Sequence, residues 1–163
     1  MYVDYEYYKS LYGNKAIPET DFNRLLWDAE REIDKATSGV DNVRKLKVAF
    51  PTNEEDAEAI KRCVCALIEF LNNLESVEKS SAMVQGSDGT MHGGIIKSVS
   101  AGNESITYET SGTISNAIKS VNDRDVTVYA FIASRLHGVS DANGVNLLFG
   151  GRYPYIVEVK KHE

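Results

Sequence analysis

The spacing of apolar residues predicts a helical first half. Phe22, Leu25, Leu26, Ala29, Ile33 and Ala36 recur at the 3.6-residue period, with Asp28, Arg31, Glu32 and Lys35 on the opposite face. Ile17-Pro18-Glu19 opens this helix, because a proline in the first turn has no N–H to lose. Glu19 and Asp21 bring negative charge to the positive end of the dipole, and Thr37-Ser38-Gly39 ends the run. A longer stripe follows: Ala57, Ile60, Val64, Leu67, Ile68, Leu71 and Leu74, behind an acidic first turn at Glu54, Glu55 and Asp56. A helix over 53–76 would span about 36 Å at 1.5 Å per residue. A third helix is predicted over 123–137, with Val126, Tyr129, Ile132, Ala133 and Leu136 as its buried face and Gly138 as its stop. Ahead of these, Asp4 can cap a short helix to Tyr12 that Gly13-Asn14 terminates. Tyr5, Tyr8 and Tyr12 share one face of it.

The second half is patterned differently. Ten of the twelve glycines lie at or beyond Gly86. Residues 40–52 read as a connection, and Lys79 to Gly94 as a polar, glycine-studded loop. Ile95-Ile96-Lys97-Ser98-Val99 and Ser105-Ile106-Thr107-Tyr108-Glu109, separated by Ser100 to Glu104, predict a β-hairpin. Ile114 to Val121 suits one or two helical turns. Tyr153 to Val159 reads as a terminal strand, with Pro154 confined to an edge or to its first residues. The expected fold is mainly α: a small helical bundle of three main helices plus a short N-terminal helix, with a β-hairpin and an extended C-terminal segment. One domain covers 1–163, with an excursion at 79–112 and a tail at 139–163.

Composition narrows the function classes. At 163 residues, 42% hydrophobic and 26% charged, the chain can bury a core without a disulfide or metal staple. A net charge of -6 disfavours a protein that grips DNA phosphates. The charge is uneven: seven acids face three bases in residues 51–80, whereas six bases face five acids in 113–163. There is no apolar run long enough for a membrane span. The N-terminus carries Asp4 and Glu6 where a secretory signal has a basic region, so synthesis in a cytoplasm is expected.

No reactive constellation emerges. Cys63 and Cys65 stand at i and i+2, which point apart on a helix, and are better read as buried thiols than as a metal or redox pair. His92, His137 and His162 lie in a glycine loop, at a helix end and near the C-terminus; His137 most simply complements the helix dipole. The acids Glu54, Glu55, Asp56 and Glu58 spread around a helical turn, and dipole compensation accounts for them without a cation. Gly86, Gly89, Gly93 and Gly94 match no phosphate-loop pattern. No catalytic, cofactor-binding or metal-binding residue is therefore expected. Several elements do look incomplete alone: the hairpin residues Ile95, Val99, Ile106 and Tyr108, and the patch Leu147-Leu148-Phe149. Such edges and patches find partners. Folding back onto the helices of the same chain is the alternative, and the residues leave both open.

The order of pieces resembles a known family. Tyr8, Tyr12-Gly13, Ile17-Pro18-Glu19 with Phe22, and Ala29-Glu30-Arg31-Glu32-Ile33-Asp34-Lys35-Ala36-Thr37 are similar to the N-terminal signature of head–tail connector (neck adaptor) proteins of tailed phages and prophages. The acidic-capped helix from Glu54 to Leu74, the short segment Ser105-Ile106-Thr107-Tyr108 and the helix ending near Leu136 follow in the same order. The excursion between Lys79 and Gly112 and the segment after Leu148 are longer than the pattern. The resemblance implies a structural virion protein made in the bacterial host. It would form an oligomeric ring beneath the portal protein, extend the DNA channel and receive the next neck or tail-completion protein. No cofactor and no membrane are implied. DNA would pass without specific binding, past a lumen to which Glu54, Glu55, Asp56 and Glu58 are the acidic candidates. The free chain would be monomeric if the ring closes only on its portal. Two other classes compete: a small non-enzymatic adaptor or regulatory protein of a prophage or other mobile element, and an enzyme whose tyrosines, His137 and acids meet across helices.

Overall fold

The computed structural model describes residues 1–81 and 123–155, together with the backbone of four short strands between them; side chains are described to residue 76 and again from 123. The protein is mainly helical. It forms two compact units, one of Met1–Glu69 with Val128–Glu163 and one of Phe70–Thr127.

Helix α1 (Tyr5–Tyr12) begins where Asp4 caps it, the Asp4 carboxylate accepting from the Tyr7 N–H at 2.8 Å. Gly13 ends it with φ +55°, a left-handed conformation natural to glycine. Helix α2 (Glu19–Thr37) buries Phe22, Leu25, Leu26, Ala29 and Ile33, the stripe its periodicity predicts. Tyr8, fully buried, sits with its ring 5.0 Å from Phe22 and 4.9 Å from Tyr12, and Tyr5 lies 5.3 Å from Phe22. The shared tyrosine face of α1 thus packs on the start of α2. The Tyr8 hydroxyl donates to Glu69 and accepts from the Ile17 N–H at 3.1 Å, so a polar tip is satisfied beneath an aromatic cluster.

Helix α3 (Lys45–Val48) is a single turn inside the 40–52 connection, which the sequence pattern does not separate from loop. Helix α4 (Glu54–Ser81) has 28 residues and runs past the expected stop at Ser76. Asn53 caps it by accepting from the Glu55 N–H at 3.1 Å. Its residues Ile60, Cys63, Val64, Cys65, Leu67 and Ile68 are buried in the first unit, as Leu71 and Leu74 are in the second. Two antiparallel backbone pairs follow: β1 (Val84–Gln85) with β2 (Met91–His92), and β3 (Ile96–Ser100) with β4 (Ser105–Tyr108). In the second pair Val99 stands opposite Ile106 and Ser100 opposite Ser105, with an irregularity between Ile96 and Ser98. The predicted helical turns at Ile114 to Val121 lie outside the described residues, as do most of the glycine loop and the chain from residue 156.

Helix α5 (Arg124–Leu136) corrects the expected buried face. Val128, Ile132 and Leu136 are buried, whereas Val126 is 72% and Tyr129 51% exposed. Val128 joins Ile132 and Leu136 at i, i+4, i+8, which shifts the buried stripe away from Val126 and leaves Tyr129 at its margin.

From residue 139 the chain is a fastened set of turns up to residue 155, not an extended tail. Leu147 N–H donates to Val139 at 3.0 Å and Asp141 N–H to Val145 at 2.9 Å. Ser140 and Asn146 form one bridge, and Tyr153 to Tyr155 form no strand. Cross-ties reach the 39–49 segment: Val40 N–H to Gly150 at 3.1 Å, Ala142 N–H to Ala49 at 3.1 Å, and Tyr153 N–H to the Asp41 carboxylate at 2.7 Å.

Candidate functional site

The sequence places its interface candidates in two groups, one on each compact unit. Ile95 lies outside the described residues. Val99, Ile106 and Tyr108 fall on the paired backbones of β3 and β4. Of the second group, Leu147 is fully buried in its own chain, so it is core and not docking surface. Its carbonyl and N–H are both bonded internally. Leu148 is half-buried and Phe149 is 48% exposed. Only Phe149 of that patch presents a large free apolar side chain.

The acidic candidates are not equivalent. Glu54 and Glu55 are exposed, and Asp56 is partly so. Glu58 is committed within the chain: it accepts from the Tyr7 hydroxyl at 2.7 Å and from the Arg62 Nε at 2.8 Å. The Tyr7 bond first, then Arg62, holds the Glu58 carboxyl below its usual range. Burial, then the same bond, pushes the Tyr7 hydroxyl well above its own. Glu58 is thus a tie between α1 and α4.

Both cysteines are free and buried, and desolvation pushes each thiol up to about 12. A thiol held protonated is a poor nucleophile and ligand. No three His, Cys, Asp or Glu side chains converge to hold a metal among the described residues. None of the described helices is long and apolar enough to cross a membrane.

No family model matches the chain, no curated protein matches its sequence and no solved structure matches its fold. The surface itself therefore carries the functional reading.

Three surface features stand out, and the pattern of apolar positions flags none of them. The first is Tyr129 on α5, half-exposed at the margin of the buried stripe. The second is Trp27 on α2, 60% exposed, with the Arg31 guanidinium 4.6 Å above its ring. These two residues are four apart, so one helical turn stacks them. The third is a groove of about 490 Å³ between α1, α4 and α5, bordered by Leu11, Tyr12, Ala59, Cys63, Ala66 and Arg135. Its floor is built from small residues of α4 at positions 59, 63 and 66, which share one face.

The N-terminal residues form a strap over α2. The Met1 amine lies 3.7 Å from Glu30, the Tyr2 N–H donates to the same carboxylate, and the Tyr2 hydroxyl donates to the buried Asp34 at 2.5 Å. Lys47 covers the Tyr2 ring at 4.3 Å and stands 4.0 Å from Asp34. Phe50 also stacks on the Tyr2 ring, at 5.7 Å between centroids. Desolvation and the Asp34 bond push the Tyr2 hydroxyl far above its usual range. This ties the entry of the chain to α2 and α3.

Proposed function

We propose that this chain is a structural neck protein of a tailed phage or prophage. It forms a ring of identical copies between portal and tail, extends the DNA channel and offers a platform for the next neck or tail-completion protein. The observation that carries this reading is a large aromatic side chain left exposed at the margin of the buried stripe of α5. Tyr129 is 51% exposed, although it lies three residues from the buried Ile132 and seven from the buried Leu136. An apolar stripe that continues into an exposed aromatic offers a neighbouring copy something to cover. Trp27 and Phe149 add large exposed apolar side chains on other elements. A head-to-tail contact between copies pairs two different surfaces, and it closes into a ring when the rotation permits.

Further support comes from the Tyr-Gly, Ile-Pro-Glu and Phe22 signature. Its residues build one local structure, the α1 aromatic face packed on the start of α2. The exposed acids Glu54 and Glu55 suit a channel wall that repels DNA phosphates. In this reading the virion neck is the site of action, the chain binds no cofactor, and DNA passes without specific contact.

Electron microscopy of the chain mixed with its portal protein tests the proposal. A ring seated at one end of the portal is the expected result. Portal particles left bare at saturating concentrations of the chain would overturn it.

A further inference from the structure

A polar cleft of about 420 Å³ opens where α2 ends and the chain turns through residues 38–44. Arg31, Lys35, Ser38, Asn42 and Arg44 line it, with Glu32 and Asp34 as its two acids. Both acids are already engaged. Asp34 accepts the Tyr2 hydroxyl at 2.5 Å and faces Lys47 at 4.0 Å, and Glu32 stands 3.7 Å from Lys35. Two of the cations are not engaged in this way. Neither Arg31 nor Arg44 forms an ion pair among the described residues, and Arg31 rests on the Trp27 ring. The helix dipole accounts for Lys35 in the last turn of α2, but Arg44 lies beyond that helix. Asn42 is the one non-glycine residue with positive φ among the described residues, at +56°. It lines the cleft as an exposed residue, beside the exposed Arg31 and Arg44. In a chain of net charge -6 this is a local inversion of sign.

We propose that this cleft binds a phosphate group. A guanidinium presents paired N–H donors whose spacing matches two phosphate oxygens, and two such forks with an amide can meet several oxygens at once. A pocket of about 420 Å³ also has room for the substituent that a phosphate ester carries. The phosphate comes either from a nucleic-acid backbone or from a free phosphate or small ester. The inference stands independently of the neck reading.

The chain contains one tryptophan, and it is Trp27. Its emission therefore reports any movement of Arg31 away from the ring. The test titrates the full chain with inorganic phosphate, with single-stranded oligothymidine, and with sodium chloride at matched ionic strength. Isothermal titration calorimetry reads the same binding directly. The expected result is saturable binding of phosphate with a change in Trp27 emission that chloride does not reproduce. Arg44→Ala should weaken binding about tenfold, and Arg44→Lys, which keeps the charge and loses the fork, should weaken it less. Saturation by oligothymidine at lower concentration than phosphate assigns the nucleic-acid source; binding of phosphate alone assigns the small one. No calorimetric binding of either ligand, or affinity unchanged in folded Arg44→Ala and Arg44→Lys, overturns the proposal.

Discussion

The Nζ of Lys45 donates to the carbonyl oxygen of Leu147 at 2.9 Å, across 102 positions of sequence. The same amine reaches Asn146 at 3.3 Å and Phe149 at 2.5 Å, and Lys45 as a whole has no exposed surface. One ammonium thus reaches three carbonyls of this loop, of which the Asn146 oxygen also accepts from the Phe149 N–H at 3.1 Å. Lys45→Met keeps most of the volume and removes the donors. It should lower the unfolding free energy by about 3 kcal/mol, because buried carbonyls lose their partner. A urea titration measures this, and hydrogen exchange at Leu147 and Phe149 should accelerate together. A midpoint equal to that of the unaltered chain would contradict the clasp.

Asp141 organises the same loop from within. Its carboxylate accepts from the Asn143 N–H at 2.9 Å, the Val145 N–H at 2.8 Å and the Tyr153 hydroxyl at 2.5 Å. Tyr153→Phe removes one of these donors and should cost about 1 kcal/mol, whereas Asp141→Ala strands all three and should cost about 2 to 3 kcal/mol. Thermal melts of the two variants and of the double variant give the comparison. Equal losses in both single variants would refute the hub role of Asp141.

Gly39 meets the same clasp from the other side. A Cβ there would collide with the Gly151 carbonyl oxygen, which is backbone and cannot swing away. Gly39→Ala should therefore destabilise by about 1 to 3 kcal/mol, as overpacking does elsewhere. Gly150→Ala, where a Cβ meets nothing within 4 Å, should leave the melting temperature nearly unchanged. Calorimetry on the pair decides the point.

Alkali should unfold this protein. Burial is the leading cause that raises the Tyr2, Tyr7, Tyr8, Tyr12 and Tyr153 hydroxyls above their ordinary 10.0, and the Cys63 and Cys65 thiols from 9.0 to about 12. For each group the folded state holds its proton where the unfolded chain has lost it. Their contribution is complete below the unfolded value and is lost as pH climbs toward the folded one. Lys45 has the opposite sign: burial lowers its amine from 10.5, so it adds stability with rising pH just below that value. Seven groups against one make the net slope negative. Urea midpoints taken from neutrality upward should hold to pH 9.0 and fall steeply beyond 10.0. A flat profile across that window would show that these groups are not withheld from water.

Tyr129→Arg separates assembly from folding. The side chain is 51% exposed, so a surface substitution there should change stability by less than about 0.5 kcal/mol. The charge would nonetheless replace the exposed aromatic proposed to meet a neighbouring copy. Mass photometry with the portal should find the ring lost while circular dichroism is unchanged. Undiminished ring formation would move the subunit contact elsewhere.

The helices were legible where one apolar stripe faced one core. Leu25, Ala29 and Ile33 on α2 and Ile60, Val64 and Leu67 on α4 leave no choice of side, and all are buried. On α5 the apolar positions span a wide arc, and Val128, with Ile132 and Leu136, takes its buried centre while Tyr129 is left at the margin and Val126 beyond it. Lys45 was opaque for another reason. A lone lysine in a polar connection signals solvent, and its burial depends on carbonyls that arrive a hundred residues later. Leu147 was misplaced by the same distance effect: an apolar residue among glycines looks unsupported until the 39–49 segment is laid against it. The phosphate cleft was equally hidden, since Arg31 and Arg44 are unremarkable singly and meet only through the turn at Asn42.

The Lys45 clasp has a consequence for biosynthesis. At roughly 5 to 20 residues per second, a ribosome needs about 5 to 20 s to travel from Lys45 to Leu147. During that interval the ammonium has no carbonyl cage, and desolvating it alone is unfavourable. Desolvation therefore disfavours burial of Lys45 until those carbonyls have been made. A polypeptide truncated before Leu147 never closes the clasp, and such a fragment carries its defect on the outside, where a cellular protease can find it.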